Sequence, residues 1–481
     1  MKKIHFSLDI IIEIGWLAIF LLSPIYFDTL IYQPFPTAWQ VSFYTLLQIT
    51  LFFWLIKIIF NFSEFKNEFK KRVKYILPFF IFLIFVFIST LLSRSLSFSF
   101  WGSYERCFGF LTWLHLFLFY CLLIFNLKTK DQLTKLIGVI FGTTFFICLY
   151  GVIQLFGFDF IKWEVNPSES YRIFSSLGQP NFLASWLLLV LPLISLFFFY
   201  CFNFWRKEKK SILFPFFAFL MFLFVFFVLI FTQSRGAWLG FLSQILILYF
   251  FLLWYFKKRR LFCTSLIIVL GLGLILIGLN IYHFNSPINE SLSPIIGRLE
   301  SLVYLGGATG RLRLYFWQDG LELISKKPFF GYGPETQRFY YISYYRPEFA
   351  ALEAINSYPD RAHNDIIDTL LTTGFFGLIS YLLFIGSSFY FGIKQVLKKL
   401  DFSGLFILAL LLGVFGYLVS LQFSFHVIPT AVYFVGFLAI GVVIGVRPSK
   451  LVAIGVRPSK LTSLVAIGVR PSKLTSETSH K

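Results

Sequence analysis

Apolar residues run in blocks of roughly 18–25 positions separated by polar connections, the length a helix needs to cross a hydrocarbon core. The blocks lie near 8–27, 38–61, 75–92, 108–126, 134–156, 182–202, 211–232, 236–256, 261–282, 366–391, 402–422 and 426–446. A helix satisfies its own backbone hydrogen bonds in lipid, so the pattern predicts an all-α polytopic membrane protein of about 12 transmembrane helices. Only one connection is long, and it divides the chain. Residues 1–282 carry helices 1–9, 283–365 form the long loop, 366–446 carry helices 10–12, and 447–481 form a tail. Within the loop, "GRLRLYFWQDGLELISKKPFFGYG" repeats Leu314, Trp317, Leu321 and Ile324 at helical spacing, with Lys326-Lys327-Pro328 closing the pattern. An amphipathic helix lying at the mouth of the bundle or in the membrane interface is expected there.

Composition agrees with this reading: hydrophobic residues make up 58%, charged residues 14%, and phenylalanine alone occurs 68 times. The net charge of +19 would suit nucleic acid, but its distribution argues for orientation instead. Lys2-Lys3 and the basic stretches at 66–74, 127–135, 205–210, 257–260 and 394–399 fall in alternate connections, while the intervening ones are poor in lysine. The positive-inside rule then puts both termini in the cytoplasm and the long loop outside. Membrane lipids are the implied partner of the basic loops, and nucleic acid is not. The first block lacks a small-residue cleavage site and is soon followed by another, so it reads as a retained span.

The five cysteines lie in or beside the apolar blocks without a C-x-x-C pair, so they suggest neither a disulfide framework nor a metal site. The tail repeats "VIGVRPSKL", "VAIGVRPSKLTSL" and "VAIGVRPSKLTSETSHK". Such copies are too short to bury a core, and the tail is expected to be disordered or loosely associated with the membrane.

Chemistry concentrates in the connections predicted to be outside, where positive charge is otherwise scarce. "YRIFSSLGQPN" supplies Arg172, "TQSRGAWLG" supplies Arg235, "GRLRLYFW" supplies Arg311 and Arg313, and "RAHND" supplies His363 with Asn364 and Asp365. Each alone has a plain structural use. Arg235 could snorkel from a helix end, Arg172 could bind loop carbonyls, Arg311 and Arg313 could edge an amphipathic helix, and Asn364 or Asp365 could cap one. Together, several guanidinium groups on one interfacial cavity call for an anion, and phosphate or pyrophosphate fits their planar fork. A pyrophosphate on a polyprenyl chain would sit at that depth. His363 could take the proton of an attacking hydroxyl, with Asp365 or Glu335 orienting it or sharing the task. The arginines would stabilise the leaving charge in place of a metal, so neither metal nor other cofactor is called for.

The stretches "YGVIQLFGFD", "LGQPNFLASWLLLVLP", "TQSRGAWLG", "RLYFWQDGLELISKKPFFGYGPETQRF" and "AHNDIIDTLLTTGFFGLISYL" resemble, in this order, the O-antigen ligase/polymerase superfamily over roughly residues 75–440. The resemblance implies a GT-C-like helical bundle in the bacterial inner membrane. Such a protein transfers a glycan from an undecaprenyl-pyrophosphate carrier to an acceptor hydroxyl on the outer side, the acceptor being a glycan, lipid or protein. It also implies that Arg235 and Arg313 (or its neighbour Arg311) contact pyrophosphate and that His363 activates the acceptor, with Arg172 and Asn181 carried over more weakly. Relatives sometimes carry a C-terminal helical-repeat domain, whereas this chain ends in the "RPSK" copies.

Ligases and polymerases of lipid-linked repeat units share these motifs, so the pattern leaves both open. A transporter or flippase would usually show two related halves and ionisable groups near the bilayer midplane. Here the halves are not similar, and the polar constellation lies at one face.

Overall fold

Each apolar block folds as a helix in the computed structural model, which describes residues 2–163, 167–170, 172–208, 211–283, 308–352 and 358–446. The long helices are α1 (Lys2–Ile25), α2 (Pro36–Phe60), α3 (Phe62–Leu91), α4 (Phe110–Asn126), α5 (Lys130–Leu155), α6 (Pro180–Glu208) and α7 (Leu213–Phe231). They continue as α8 (Arg235–Tyr255), α9 (Arg259–His283), α10 (Ala308–Lys326), α11 (Asp365–Lys398), α12 (Phe402–Ser420) and α13 (Ile428–Val446). Among the described residues, ten helices are long and apolar enough to cross a bilayer, and α4 is a shorter apolar one. The chain is an all-α polytopic membrane protein. The twelve predicted blocks coincide with α1–α9 and α11–α13, although α4 has only 17 residues and side chains 276–283 of α9 lie outside the described residues. Also outside them are the first part of the long loop, 284–307, and the repeat-bearing tail, 447–481.

Helix α13 is the axis of the bundle. Seventeen of its nineteen residues, Ile428 through Ile444, are buried, and α1, α2, α4, α6, α11 and α12 pack around it. Glycines let neighbouring backbones close up, the usual device where lipid supplies no hydrophobic drive. A Cβ on Gly240 of α8 would lie 2.5 Å from the Gly416 carbonyl oxygen of α12. That crossing fixes where the start of α8 sits against the turn after α12, which is where Arg235 emerges. At one end of the bundle the basic residues collect: Lys57 pairs with Asp9, Lys135 with Glu13 and Arg72 with Glu68. The connections that carry the candidate residues meet at the other end.

The predicted helix in the long loop is α10, ending at Lys326 as expected. Its buried stripe differs from the predicted one. Leu312, Phe316, Leu323 and Ile324 face the protein, whereas Leu314 and Leu321 are exposed. The stripe also takes in Asp319 and Gly320. Asp319 is wholly buried because Arg346 pairs with it. At Gly320 a Cβ would lie 2.6 Å from the Tyr341 hydroxyl, so only glycine lets the two segments close up.

Helix α11 reads as one continuous apolar block but is broken at Gly374, whose backbone turns to φ 69°. The polar groups freed by the break are taken up by the segment that follows α10. Tyr332 N–H donates to the Leu371 carbonyl at 2.9 Å, Gly333 N–H to Thr372 at 2.8 Å, and Phe375 N–H to Pro328 at 2.7 Å. Irregular backbone inside a bundle is tolerated only with such protein partners. A Cβ on Gly374 would fall 2.2 Å from the Phe329 carbonyl. Gly374→Ala is therefore expected to cost at least about 1–3 kcal/mol in backbone strain, seen as a lower thermal transition by tryptophan fluorescence in nanodiscs. Gly386→Ala on the same helix, where a Cβ meets nothing within 4 Å, serves as the control and should leave the transition in place or raise it. Equal transitions for the two variants would contradict this view of the break.

Candidate functional site

Arg235 is the first residue of α8, directly after its N-cap Ser234, and is half-buried. It projects beside the turn Leu421–Phe423: a Cβ on the next residue, Gly236, would lie 3.1 Å from Phe423 Cβ. Arg313 reaches the same turn from α10. Its Nη2 donates to the Phe423 carbonyl at 3.0 Å, and its guanidinium carbon lies 5.8 Å from the Phe423 ring centre. Burial, and then the neighbouring Arg235 charge, push Arg313 down to about 10. Two cations thus press on each other in a partly dry place. Arg311 lies two residues earlier, about 200° round the helix, so Arg313 is the member of the pair turned toward Arg235.

One turn along α10 from Arg313, Trp317 Nε1 donates to the Ala362 carbonyl at 3.1 Å. This pins the residue before His363 beside the arginine face. The Ala362 N–H is held by Asp368 Oδ1 at 2.8 Å, and Asn364 caps α11 by accepting from Ile366 and Ile367 N–H, each at 3.1 Å. Between these clamps His363 adopts φ 53°, a left-handed conformation that a non-glycine residue keeps only where its surroundings impose it. Among the described residues, four of the six non-glycine positions at positive φ adjoin this region: Cys107, Gln233, Glu335 and His363. The imidazole sits between Phe316 and Phe425, with ring centres 6.2 and 5.5 Å away. Burial pushes His363 down to about 4; Asp360 counters that while Arg361, Arg313 and Arg106 add to it. At neutral pH it is an uncharged base.

The remaining predicted residues take other places. Asp365 is the first residue of α11, not its cap; it accepts from Tyr381 Oη at 3.0 Å and faces His426 Nε2 at 3.3 Å. Glu335 pairs with Arg361 at 3.0 Å and accepts from Ser103 Oγ at 2.8 Å. The carboxylate facing His363 is neither of these but Asp360, whose Oδ1 is 3.6 Å from Nε2. Arg172 Nε approaches the Thr232 carbonyl at 3.5 Å, on the turn leading to Arg235. Asn181 is half-buried in the first turn of α6, next to Phe182, whose ring packs 5.3 Å from Phe425.

Sequence reading passed over Asp360, Arg106, Phe425 and His426, and did not single out Arg361 within "RAHND". Asp360 bonds Arg106 at 2.9 Å and Arg361 at 3.2 Å, and both guanidinium carbons lie 4.3 Å from the Phe425 ring centre. Burial opposes the charge on Asp360, yet Arg361, Arg106 and His363 hold its carboxyl far below the ordinary range. An acid three residues before a histidine was the one local signal. The partnership of Arg106 with Asp360 spans 254 positions and has no counterpart in periodicity.

The O-antigen ligase family model matches residues 220–382, the stretch that contains Arg235, Arg313 and His363. The chain is also similar to a general O-oligosaccharyltransferase of Acinetobacter baylyi (strain ATCC 33305 / BD413 / ADP1), 25% identical over 281 residues. That match takes in 57% of this chain and 45% of the relative, so the chain spans less than half the length of the protein it matches. The resemblance read from the ordered stretches thus has independent support: residues 220–382 match the O-antigen ligase family model, and the oligosaccharyltransferase similarity points the same way.

Proposed function

We propose that this protein is a membrane glycosyltransferase that moves a glycan from an undecaprenyl-pyrophosphate carrier to an acceptor hydroxyl, at the outer face of the bacterial cytoplasmic membrane. The observation that carries the reading is the convergence of Arg235 and Arg313 on the turn Leu421–Phe423, with the backbone of His363 pinned one turn along α10 from Arg313. Repelling guanidinium groups are relieved by an anion, and a pyrophosphate presents oxygens to both forks. The similar Acinetobacter baylyi protein is a general O-oligosaccharyltransferase, an activity of the same kind.

The acceptor oxygen attacks the anomeric carbon, and the carbon–oxygen bond to pyrophosphate breaks with its electron pair going to the leaving group. The hydroxyl proton passes to His363. With Nε2–H directed toward Asp360, the lone pair is on Nδ1, and the resulting imidazolium is stabilised by the Asp360 carboxylate. Arg235 and Arg313 hold the pyrophosphate as its charge grows, a task for which guanidinium groups need no metal. The scarcity of lysine in the connections at this end supports the outward orientation, with both termini cytoplasmic.

Proteoliposomes containing the full chain and a lipid-pyrophosphate glycan donor test this reading. Glycan is expected on a second acceptor molecule, with turnover retained in a chelator. Lengthened lipid-linked chains would mark a polymerase instead, and intact donor would contradict glycosyl transfer altogether.

A further inference from the structure

Behind Phe425 and Arg361 lies a second compartment. An open pocket of ≈ 530 Å³, its solvent-facing mouth included, lies between α3, α4, residues 334–337 and the first turns of α11, and His363, Arg235 and Arg313 do not line it. One side is aromatic, formed by Phe82, Phe108 and Trp113. The other side is polar, and two of its buried hydrogen-bond acceptors have no partner among the described residues. Gln337 is 3% exposed, and its Oε1 is buried without a hydrogen-bond partner. Asp368 uses Oδ1 on the Ala362 N–H, but its Oδ2 is likewise buried without a partner. Buried acceptors left unmet are costly, so they point to a ligand that brings donors.

Charge narrows the ligand. Arg361 is already paired with Glu335, and His426 faces Asp365, so among the described residues the pocket leaves no unpaired guanidinium for a second phosphate. The occupant must donate hydrogen bonds along one edge and offer an apolar face to the aromatic rings. A neutral pyranose does both: its hydroxyls donate and its C–H face packs on aromatic rings.

We propose that this pocket is a neutral-sugar subsite for an acceptor ring next to the one whose hydroxyl reaches His363, with its ring hydroxyls donating to Gln337 Oε1 and Asp368 Oδ2. The assignment rests on the glycosyl-transfer reading for the word acceptor, but the sugar-binding claim stands apart from it. Asp368 ties the two compartments together: the carboxylate that receives the sugar through Oδ2 holds, through Oδ1, the backbone next to His363. Donor and acceptor are thereby separated by charge, pyrophosphate on the arginine side and uncharged sugar on the carboxylate side.

The test uses the full chain in nanodiscs, with methyl glucoside and N-acetylglucosamine read by saturation-transfer NMR and inorganic pyrophosphate read by calorimetry. Saturable sugar binding is expected in the wild type and in Arg235→Ala. Gln337→Leu and Asp368→Asn should weaken it by about 10-fold or more, and Gln337→Glu, which keeps an acceptor oxygen, should retain it. Failure of both sugars to bind the wild type, or equal binding to Gln337→Leu, would overturn the subsite. Saturable sodium binding without sugar binding would also overturn it and mark a cation site. Loss of pyrophosphate binding in Arg235→Ala alone reports on the arginine site, so a failed subsite and a failed transfer reading give different results.

Discussion

His363→Ala is expected to lower glycan transfer by about 10²–10⁴-fold, the usual worth of a positioned acid–base group, while donor binding persists. The expectation follows from how the residue is held. Asp368, Trp317 and the Asn364 cap fix the backbone on both sides of it, and the imidazole lies between two aromatic rings with Asp360 at its Nε2 edge. Truncation removes the base without loosening those clamps. Acidity should show the same group. With its pKa near 4 in the free protein, transfer efficiency should stay level below pH 6.5 and fall only as the medium approaches pH 4. An acid limb at the ordinary histidine value would contradict a half-buried imidazole surrounded by guanidinium groups. Stability shifts in the same window: the unfolded chain takes up this proton near 6.5 and the folded chain only near 4. The contribution of His363 is therefore complete above 6.5 and is lost as pH falls toward 4. Thermal transitions recorded at pH 7 and pH 5 should differ less in His363→Ala than in the wild type.

Removing either arginine should cost about 10²–10³-fold in turnover, as losing one fixed donor to a developing anion generally does. Arg313→Lys should fare little better than Arg313→Ala. The site already pushes a guanidinium down to about 10, and an amine placed there would be driven further toward neutrality while lacking the bidentate fork. Arg235→Ala relieves the repulsion on Arg313, so the double variant should lose less than the product of the two single losses. Turnover of Arg313→Lys near the wild-type level, in correctly folded protein, would show that the fork is not used.

The bundle was legible because a bilayer imposes a length on each span, and blocks of that length stand out in a chain so poor in charge. The His363–Asn364 turn was also legible, because a capping residue ahead of an apolar run is a local signal. Contacts across the bundle were not. Asp360 was missed because its ties to Arg106 and His363 become visible only when distant loops meet. The break in α11 was hidden inside an apolar block. Only Gly374 hinted at it, and the partners that stabilise it come from residues 328–333. The face of α10 was misread because aromatic and aliphatic residues surround that helix, leaving two stripes to choose between. Burial of Asp319 against Arg346 selects the stripe that hydrophobicity alone disfavours.

The most direct measurement counts carrier released against glycosidic bonds made, in proteoliposomes of wild type, Arg235→Ala and His363→Ala with insertion and thermal transition checked. The account predicts one undecaprenyl pyrophosphate freed per bond in the wild type, with both quantities collapsing together in each variant. Correctly inserted variants that release carrier and form bonds at the wild-type rate would contradict it.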